Sequence, residues 1–361
     1  MRALAILSGR SHPLLAESIA DRLGVSVGEV RLMKFANRET SVEIKQDVRG
    51  KDVFIIQSGG VGNVNDHLID MLIIIHACKI ASARRIVAVI PFFPYSRQAD
   101  IPYSTASPVV SAITAPMCGS MVGGRAIPPG EMAPTSRRVR EQWQARPGTL
   151  VANMLTAAGV DHIITMDLHD AQFQGFFDIP VDNLLAQPLM LRYIRQCIPD
   201  YENAVIVSPD SGGAKRAIVI AERLGLDFGL VHKERRAPGS PVNDTTFVGD
   251  VNGRPAIIID DIVDTGTTLL QAATVLRRQG ATRVVALVTH AVLAGDTAAL
   301  IGSSTHLDEL IVSTSVPLPK EKIEASRNKI RQFDVAYIFA EAIRRIHNGE
   351  SVSYLFEEHW R

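Results

Sequence analysis

Carboxylates, hydroxyls and glycine come together most densely in AIIIDDIVDTGTTLL, residues 256–270. The apolar run 256–259 predicts a short strand covered on both faces, with Asp260 and Asp261 at its carboxyl end, where open α/β sheets place their ligands. Asp264, Thr265, Gly266, Thr267 and Thr268 then supply backbone N–H groups, three hydroxyls and the positive end of a helix predicted to start near Leu269, which together suit a phosphate. The acidic pair suits the vicinal hydroxyls of a ribose, so a phosphosugar fits both ends of the stretch. An isolated Asp-Asp is usually a solvated strand-end turn. Three acids and a Thr/Gly loop directly after a buried strand weigh the other way.

Other strand ends carry matching chemistry. In SPDSGGAKRA, residues 208–217, Asp210 precedes Gly212-Gly213 and the pair Lys215-Arg216 at a predicted helix start, an anion cradle with a carboxylate placed for a divalent cation. HIITMDLH, residues 162–169, predicts a strand ending at His169, a candidate metal or phosphate ligand beside Asp167 and Asp170. Lys233, Arg235 and Arg236 end the stretch DFGLVHKERR. Basic residues at strand ends are commonly solvated, but beside acidic and Gly-rich strand ends these read as neutralisers of a polyphosphate. Phe35, Asn37 and Glu39 alternate on one face, with Phe35 either a core aromatic or a stacking platform.

These residues need a scaffold of repeated βα units. The 361 residues allow about two domains of roughly 150 residues. With 38 basic against 38 acidic residues, no global field recruits nucleic acid or an anionic membrane. Cys78, Cys118 and Cys197 show neither metal nor disulfide spacing, the N-terminus has too short an apolar core for a signal peptide, and no run is long enough to span a membrane, so a cytoplasmic protein is expected. Residues 83–90 echo residues 281–288, each after a strand and a helix of similar length, which points to a duplicated α/β unit. Residues 101–148 break the pattern. Residues 101–124 carry no charge, and the whole stretch has seven prolines and five glycines, as in a long mobile loop.

Taken in order, FANRETSVEIKQDVRGKDVFIIQS, FPYSRQ, ITMDLH, QGFFDIPVDNL, SPDSGGAKR, HKERR, DDIVDTGTT and EAIRRIHNGESVSYLF resemble successive motifs of class I, eukaryotic-type ribose-phosphate pyrophosphokinases, the phosphoribosyl pyrophosphate (PRPP) synthetases, with a fungal cast. The DDIVDTGTT loop alone is shared with phosphoribosyltransferases. The resemblance implies an α/β protein of two tandem phosphoribosyltransferase-like domains, each a mainly parallel sheet flanked by helices. Residues 1–183 would form the first, with 101–148 inserted and helix 337–361 packing back on it, and residues 184–336 the second.

It also implies ATP and ribose 5-phosphate as substrates, Mg²⁺ as cofactor, and assembly as a homo- or hetero-oligomer with paralogues. By the same resemblance Phe35 and Arg97 sandwich adenine, with Asn37, Glu39, Gln98 and His169 around the ATP. His169 and Asp210 hold the metal, and Asp260, Asp261, Asp264, Thr265, Gly266, Thr267 and Thr268 hold ribose 5-phosphate. Lys233 and Arg235 are the catalytic cations, and Arg49, Ser351 and Ser353 belong to a regulatory phosphate or ADP site.

The chain departs from that pattern after Gln98, where the family has a short basic loop and this sequence has Ala99-Asp100 and then the insertion, uncharged over residues 101–124. A weakly active or non-catalytic partner subunit is therefore the competing expectation.

Overall fold

In the computed structural model of the chain, residues 3–60, 62–97, 147–233 and 245–356 are described. The first half runs β1 (Leu4–Ser8), α1 (Pro13–Leu23), β2 (Val27–Gly28), β3 (Val30–Lys34), β4 (Thr40–Ile44), β5 (Asp52–Ile56), α2 (Val64–Ile80), β6 (Arg85–Ile90), α3 (Pro147–Ala158), β7 (His162–Met166) and β8 (Val181–Leu184). Its sheet has the order β2-β1-β5-β6-β7-β8, all parallel, while β3 and β4 stand apart as an antiparallel hairpin.

The second half runs α4 (Gln187–Cys197), β9 (Val205–Ser208), α5 (Ala214–Leu224), β10 (Asp227–Lys233), β11 (Thr245–Val248), β12 (Pro255–Val263), α6 (Thr267–Arg278), β13 (Arg283–Ala291), α7 (Thr297–Ser303), β14 (Glu309–Ser313), α8 (Lys320–Ala325), β15 (Ile330–Phe333) and α9 (Ala336–Asn348). Its sheet order is β11-β10-β9-β12-β13-β14-β15, antiparallel only where β11 joins the edge. Among the described residues no helix is long and apolar enough to cross a membrane.

The two sheets repeat one plan. The echoing segments 83–90 and 281–288 fall on β6 and β13, at the same place in either sheet. Arg85 pairs with Asp52 on β5 and Arg283 with Pro255 on β12, so by register Gln57-Ser58 occupy the places of Asp260-Asp261.

Alternation along the strands sorts residues into different cores. Ile6, Phe54, Ile56, Ile257 and Ile259 join α1, α4, α5 and α9 in one cluster shared by both halves. Their neighbours Leu7, Val53 and Ile55 pack beneath α2 and α3, and Ile258 beneath α6. Helix α9 lies against α1. Its end is held by Arg85 Nη1 on the Ile346 carbonyl at 3.1 Å and by His347 Nδ1 at 2.8 Å from Asp52 Oδ2.

Three boundaries differ from expectation. β12 runs on to Val263, because β13 keeps pairing with it beyond the acidic pair. β7 stops at Met166, because Asp167 takes a left-handed backbone with φ of +39°. Pro147 and Gly148, assigned to the insertion, open α3, with proline where its missing N–H costs nothing. The rest of the insertion, residues 101–146, lies outside the described residues.

A polar seam also joins the halves. His290 is buried, its Nε2 donating to the Met166 carbonyl at 3.0 Å, its Nδ1 2.8 Å from the Ser315 hydroxyl and its ring 4.9 Å from that of Phe92. His12 accepts from the Leu15 N–H and donates Nε2–H to the Thr314 carbonyl at 2.8 Å. Burial pushes both imidazoles below their ordinary range. The unfolded chain then takes up protons near pH ~6.5 that the folded seam refuses, so stability is complete above that pH and declines as pH falls below it. Urea midpoints should drop between about pH 7 and 5. His290→Gln should flatten that slope, and a slope unchanged by the substitution would clear His290 of responsibility.

Candidate active site

β9 leads to β10 on one side of the second sheet and β12 leads to β13 on the other, so a crevice opens where the direction of winding reverses. β12 pairs with β9 only across residues 256–258. Above that point Asp260 and Asp261 stand on an open edge. The turn after β7 in the first half covers this crevice and completes a cleft of about 1190 Å³.

Asp261 is buried, with His169 Nδ1 2.6 Å from Oδ2 and Arg216 Nη1 3.4 Å from Oδ1. Burial alone would raise its pKa. The bond to His169 and the charge of Arg216 outweigh it and hold the carboxyl below the usual carboxylate range. Asp260 goes the other way, pushed well up by burial and then by the neighbouring Asp261 charge, while its Oδ1 accepts the Asp261 N–H at 2.9 Å. The pair is thus pushed apart, Asp261 toward the ionised acceptor and Asp260 toward the protonated carboxyl, a combination suited to accepting from and donating to hydroxyls. The hydrogen bond to Asp261 raises the His169 pKa, against its partial burial.

The loop beyond the pair turns on Gly266, which has φ of +70° and whose absent Cβ would lie 3.0 Å from Thr297 Cγ2. Its carbonyl accepts the Leu270 N–H at 2.9 Å, so α6 starts at Thr267, two residues before expectation, and brings its positive end to the cleft. The Thr265 and Thr267 hydroxyls are 3.1 Å apart. Asp264 accepts Arg97 Nη1 on Oδ2 at 2.6 Å, while its buried Oδ1 has no protein partner. Across the crevice Asp210 caps the Gly213 N–H at 3.0 Å, and a Cβ on Gly213 would crowd the Ser208 hydroxyl at 3.1 Å.

His169, Asp210, Arg97, Asp260, Asp261, Asp264 and residues 265–268 therefore share one cleft. Lys233 closes β10 next to cleft-lining His232. Its side chain, with Gln98 and Arg235, lies outside the described residues.

Asp167 and Asp170, read together beside His169, part company. Asp167 turns inward to Thr289, whereas Asp170 lines the cleft and caps the Gln172 N–H at 2.9 Å. Phe35, Asn37 and Glu39 stand at the tip of the β3–β4 hairpin and do not line the cleft. Phe35 is 56% exposed, which disposes of a core role. The hairpin is braced by Lys34 on Asp66 at 2.9 Å and Thr40 on Asp70 at 2.9 Å.

Arg49, Ser351 and Ser353 are exposed, and they lie toward the amino ends of the first sheet's strands, opposite the cleft. Arg216 was legible as part of an anion cradle. Its pairing with Asp261 was not, since nothing local signals it.

Residues 4–121 match the family described as the N-terminal domain of ribose phosphate pyrophosphokinase, and residues 238–357 match the phosphoribosyl synthetase-associated domain. Ribose-phosphate pyrophosphokinase 5 of Schizosaccharomyces pombe is 49% identical over 358 residues, 99% of this chain and 98% of that protein. The crystal structure of phosphoribosylpyrophosphate synthetase from Mycobacterium smegmatis matches with a TM-score of 0.79 and 33% identity, covering 96% of this chain and 100% of the other.

Gly266→Ala places a side chain in the left-handed region at a cost of about 1–2 kcal/mol. Because the loop presents backbone N–H groups and a helix start suited to an anion, titration calorimetry with inorganic phosphate should show affinity reduced by roughly tenfold. Equal affinity would show that the anion binds elsewhere.

Proposed function

This chain belongs to the ribose-phosphate pyrophosphokinase family, and we infer that its cleft transfers pyrophosphate from ATP to the anomeric hydroxyl of ribose 5-phosphate, forming PRPP and AMP. The observation that carries this is one cleft holding the acidic pair and phosphate loop of the second half beneath His169 and Arg97 of the first. Asp260 and Asp261 take the sugar hydroxyls, and residues 264–268 with the start of α6 take the 5-phosphate. His169 and Arg97 face the ATP, and Gln98 is assigned to the same nucleotide. The anomeric oxygen attacks the β-phosphorus in line, and the protein's part is positioning and neutralising charge spread over the phosphoryl oxygens, with Lys233 and Arg235 as the catalytic cations.

Among the described residues no group of three or more His, Cys, Asp or Glu could hold a metal alone. One carboxylate and an imidazole beside a phosphate cradle fit Mg²⁺, which keeps several waters and shares substrate phosphates. Asp210 and His169 would hold it, and when bound it supplies positive charge to the ATP phosphates.

An exposed Phe35 outside its own cleft fits a stacking platform supplied by another subunit, in a homo- or hetero-oligomer with PRPP synthetase paralogues. Arg49, Ser351 and Ser353 are proposed as a regulatory phosphate or ADP site. The free thiols of Cys78 and Cys197 suit the reducing cytoplasm. A non-catalytic partner subunit would draw its support from residues 101–148, nearly all outside the described residues, and full-length kinship with the pyrophosphokinases favours catalysis.

The purified chain alone should form AMP only when ATP, ribose 5-phosphate and Mg²⁺ are all present. AMP that ignores the sugar, or none at all, overturns the assignment. Asp261→Asn should weaken ribose 5-phosphate binding by about 1.5–3 kcal/mol, since it removes the ionised acceptor. Asp260→Asn, which puts a neutral group where burial and the Asp261 charge favour one, should cost less. The reverse order in calorimetry would mean the proton sits on the other residue.

A further inference from the structure

Asp167 has the form of an active-site acid and none of the exposure. It is 6% exposed, and its φ of +39° is a backbone that a non-glycine residue adopts only when its surroundings hold it there. Those surroundings are well defined. Its carboxylate Oδ2 accepts the Thr289 hydroxyl at 2.6 Å and the Ala186 N–H at 3.3 Å, and its own N–H donates to the Leu184 carbonyl at 2.9 Å. The next N–H, of Leu168, donates to Asn183 Oδ1 at 3.1 Å.

Thr289 belongs to the other half. It lies on β13 between Val288 and His290, which pair with Asp260 and Ile262 on β12, so it is lateral to Asp261. Two residues past Asp167, His169 reaches that same Asp261 at 2.6 Å. One short turn thus touches two adjacent strands of the second sheet, once through a buried carboxylate and once through the imidazole facing the cleft.

We propose that Asp167 and Thr289 form a positioning clamp that fixes His169 against Asp261 and so sets the alignment of the two halves across the cleft. The clamp deepens the pyrophosphokinase function proposed above and rests on it for its kinetic readout alone. A metal-ligand role for Asp167 does not fit, because its carboxylate is engaged by Thr289 and Ala186 and does not line the cleft. General glue between the halves is supplied separately by His290 on the Met166 carbonyl at 3.0 Å and by the shared apolar cluster. Losing the Thr289 hydroxyl should therefore free the turn without parting the sheets.

Thr289→Val removes the hydroxyl and keeps the shape, while Thr289→Ser keeps the hydroxyl. In hydrogen–deuterium exchange of the full chain, the Asp167 and Leu168 amides should exchange about tenfold faster in the Val variant and near wild type in the Ser variant. In turnover, Val should lower kcat by about tenfold or more with both KM values within roughly twofold, and Ser should restore it. On a His169→Ala background Thr289→Val should have little further effect, because both changes remove the same placement.

Unchanged exchange in the Val variant, Ser failing as badly as Val, or effects of Thr289→Val and His169→Ala that multiply would each overturn the clamp. If the wild-type chain makes no AMP, the function fails and the exchange comparison still decides the clamp. A fall in melting temperature with kcat and exchange at residues 167–168 intact would reduce the pair to a stabilising contact and refute positioning.

Discussion

A carboxylate buried as deeply as Asp261 cannot remain ionised unless positive charge or strong donors are brought to it, and much of the cleft is organised by that demand. Arg216 comes from the first turn of α5 and His169 from the first half, so the compensation requires both halves. Once Asp261 holds its charge, the adjacent Asp260 faces burial and a like charge together, and both push its pKa up. A single desolvated group therefore sets the protonation of its neighbour and ties the first half to the second. Asp264, within one turn, is answered in the same way by Arg97 of the first half. The crevice of an isolated second domain would have the acids without two of their partners.

What was legible in the sequence was local. The apolar run 256–259, the acids at its end and the Thr/Gly loop are contiguous, and a strand leading into a helix dipole fixes their relation whatever surrounds them. Gly212-Gly213 before Lys215-Arg216 could be read for the same reason. Contacts between distant segments could not. His169 and Asp261 are 92 residues apart and Arg97 and Asp264 are 167 apart, so their meeting depends on how the two sheets face each other.

Asp167 shows the limit from another side. Next to a strand-end histidine its carboxylate reads as a ligand, and only the left-handed turn, invisible in residue types, sends it inward. Phe35 was ambiguous because one aromatic on a short hairpin has no periodicity to place it, and burial alone decides. The duplication was visible as an echo between residues 83–90 and 281–288 because buried central strands of either half need the same β-branched alternation.

The duplication also gives the first half a crevice of the same plan. Each sheet reverses its winding once, between β1 and β5 in the first half and between β9 and β12 in the second, so each offers the same crevice. In the second half the acidic pair lines the open cleft. In the first half the equivalent positions carry Gln57 and Ser58, and their hydrogen bonds are spent inside the protein. Gln57 accepts the Ser11 N–H at 3.0 Å and donates to the His67 carbonyl at 2.9 Å, while Ser58 donates to the Ser315 carbonyl of the second half at 2.7 Å.

His12 on the Thr314 carbonyl closes the rest. The end of β14 therefore plugs one crevice just as the end of β7 roofs the other, a reciprocal arrangement in which neutral side chains make a seal and charged ones make a site. Replacing two acids by an amide and a hydroxyl removes the charge that would demand compensation. That lets the first half serve as a rigid support from which His169 and Arg97 are aimed at its twin.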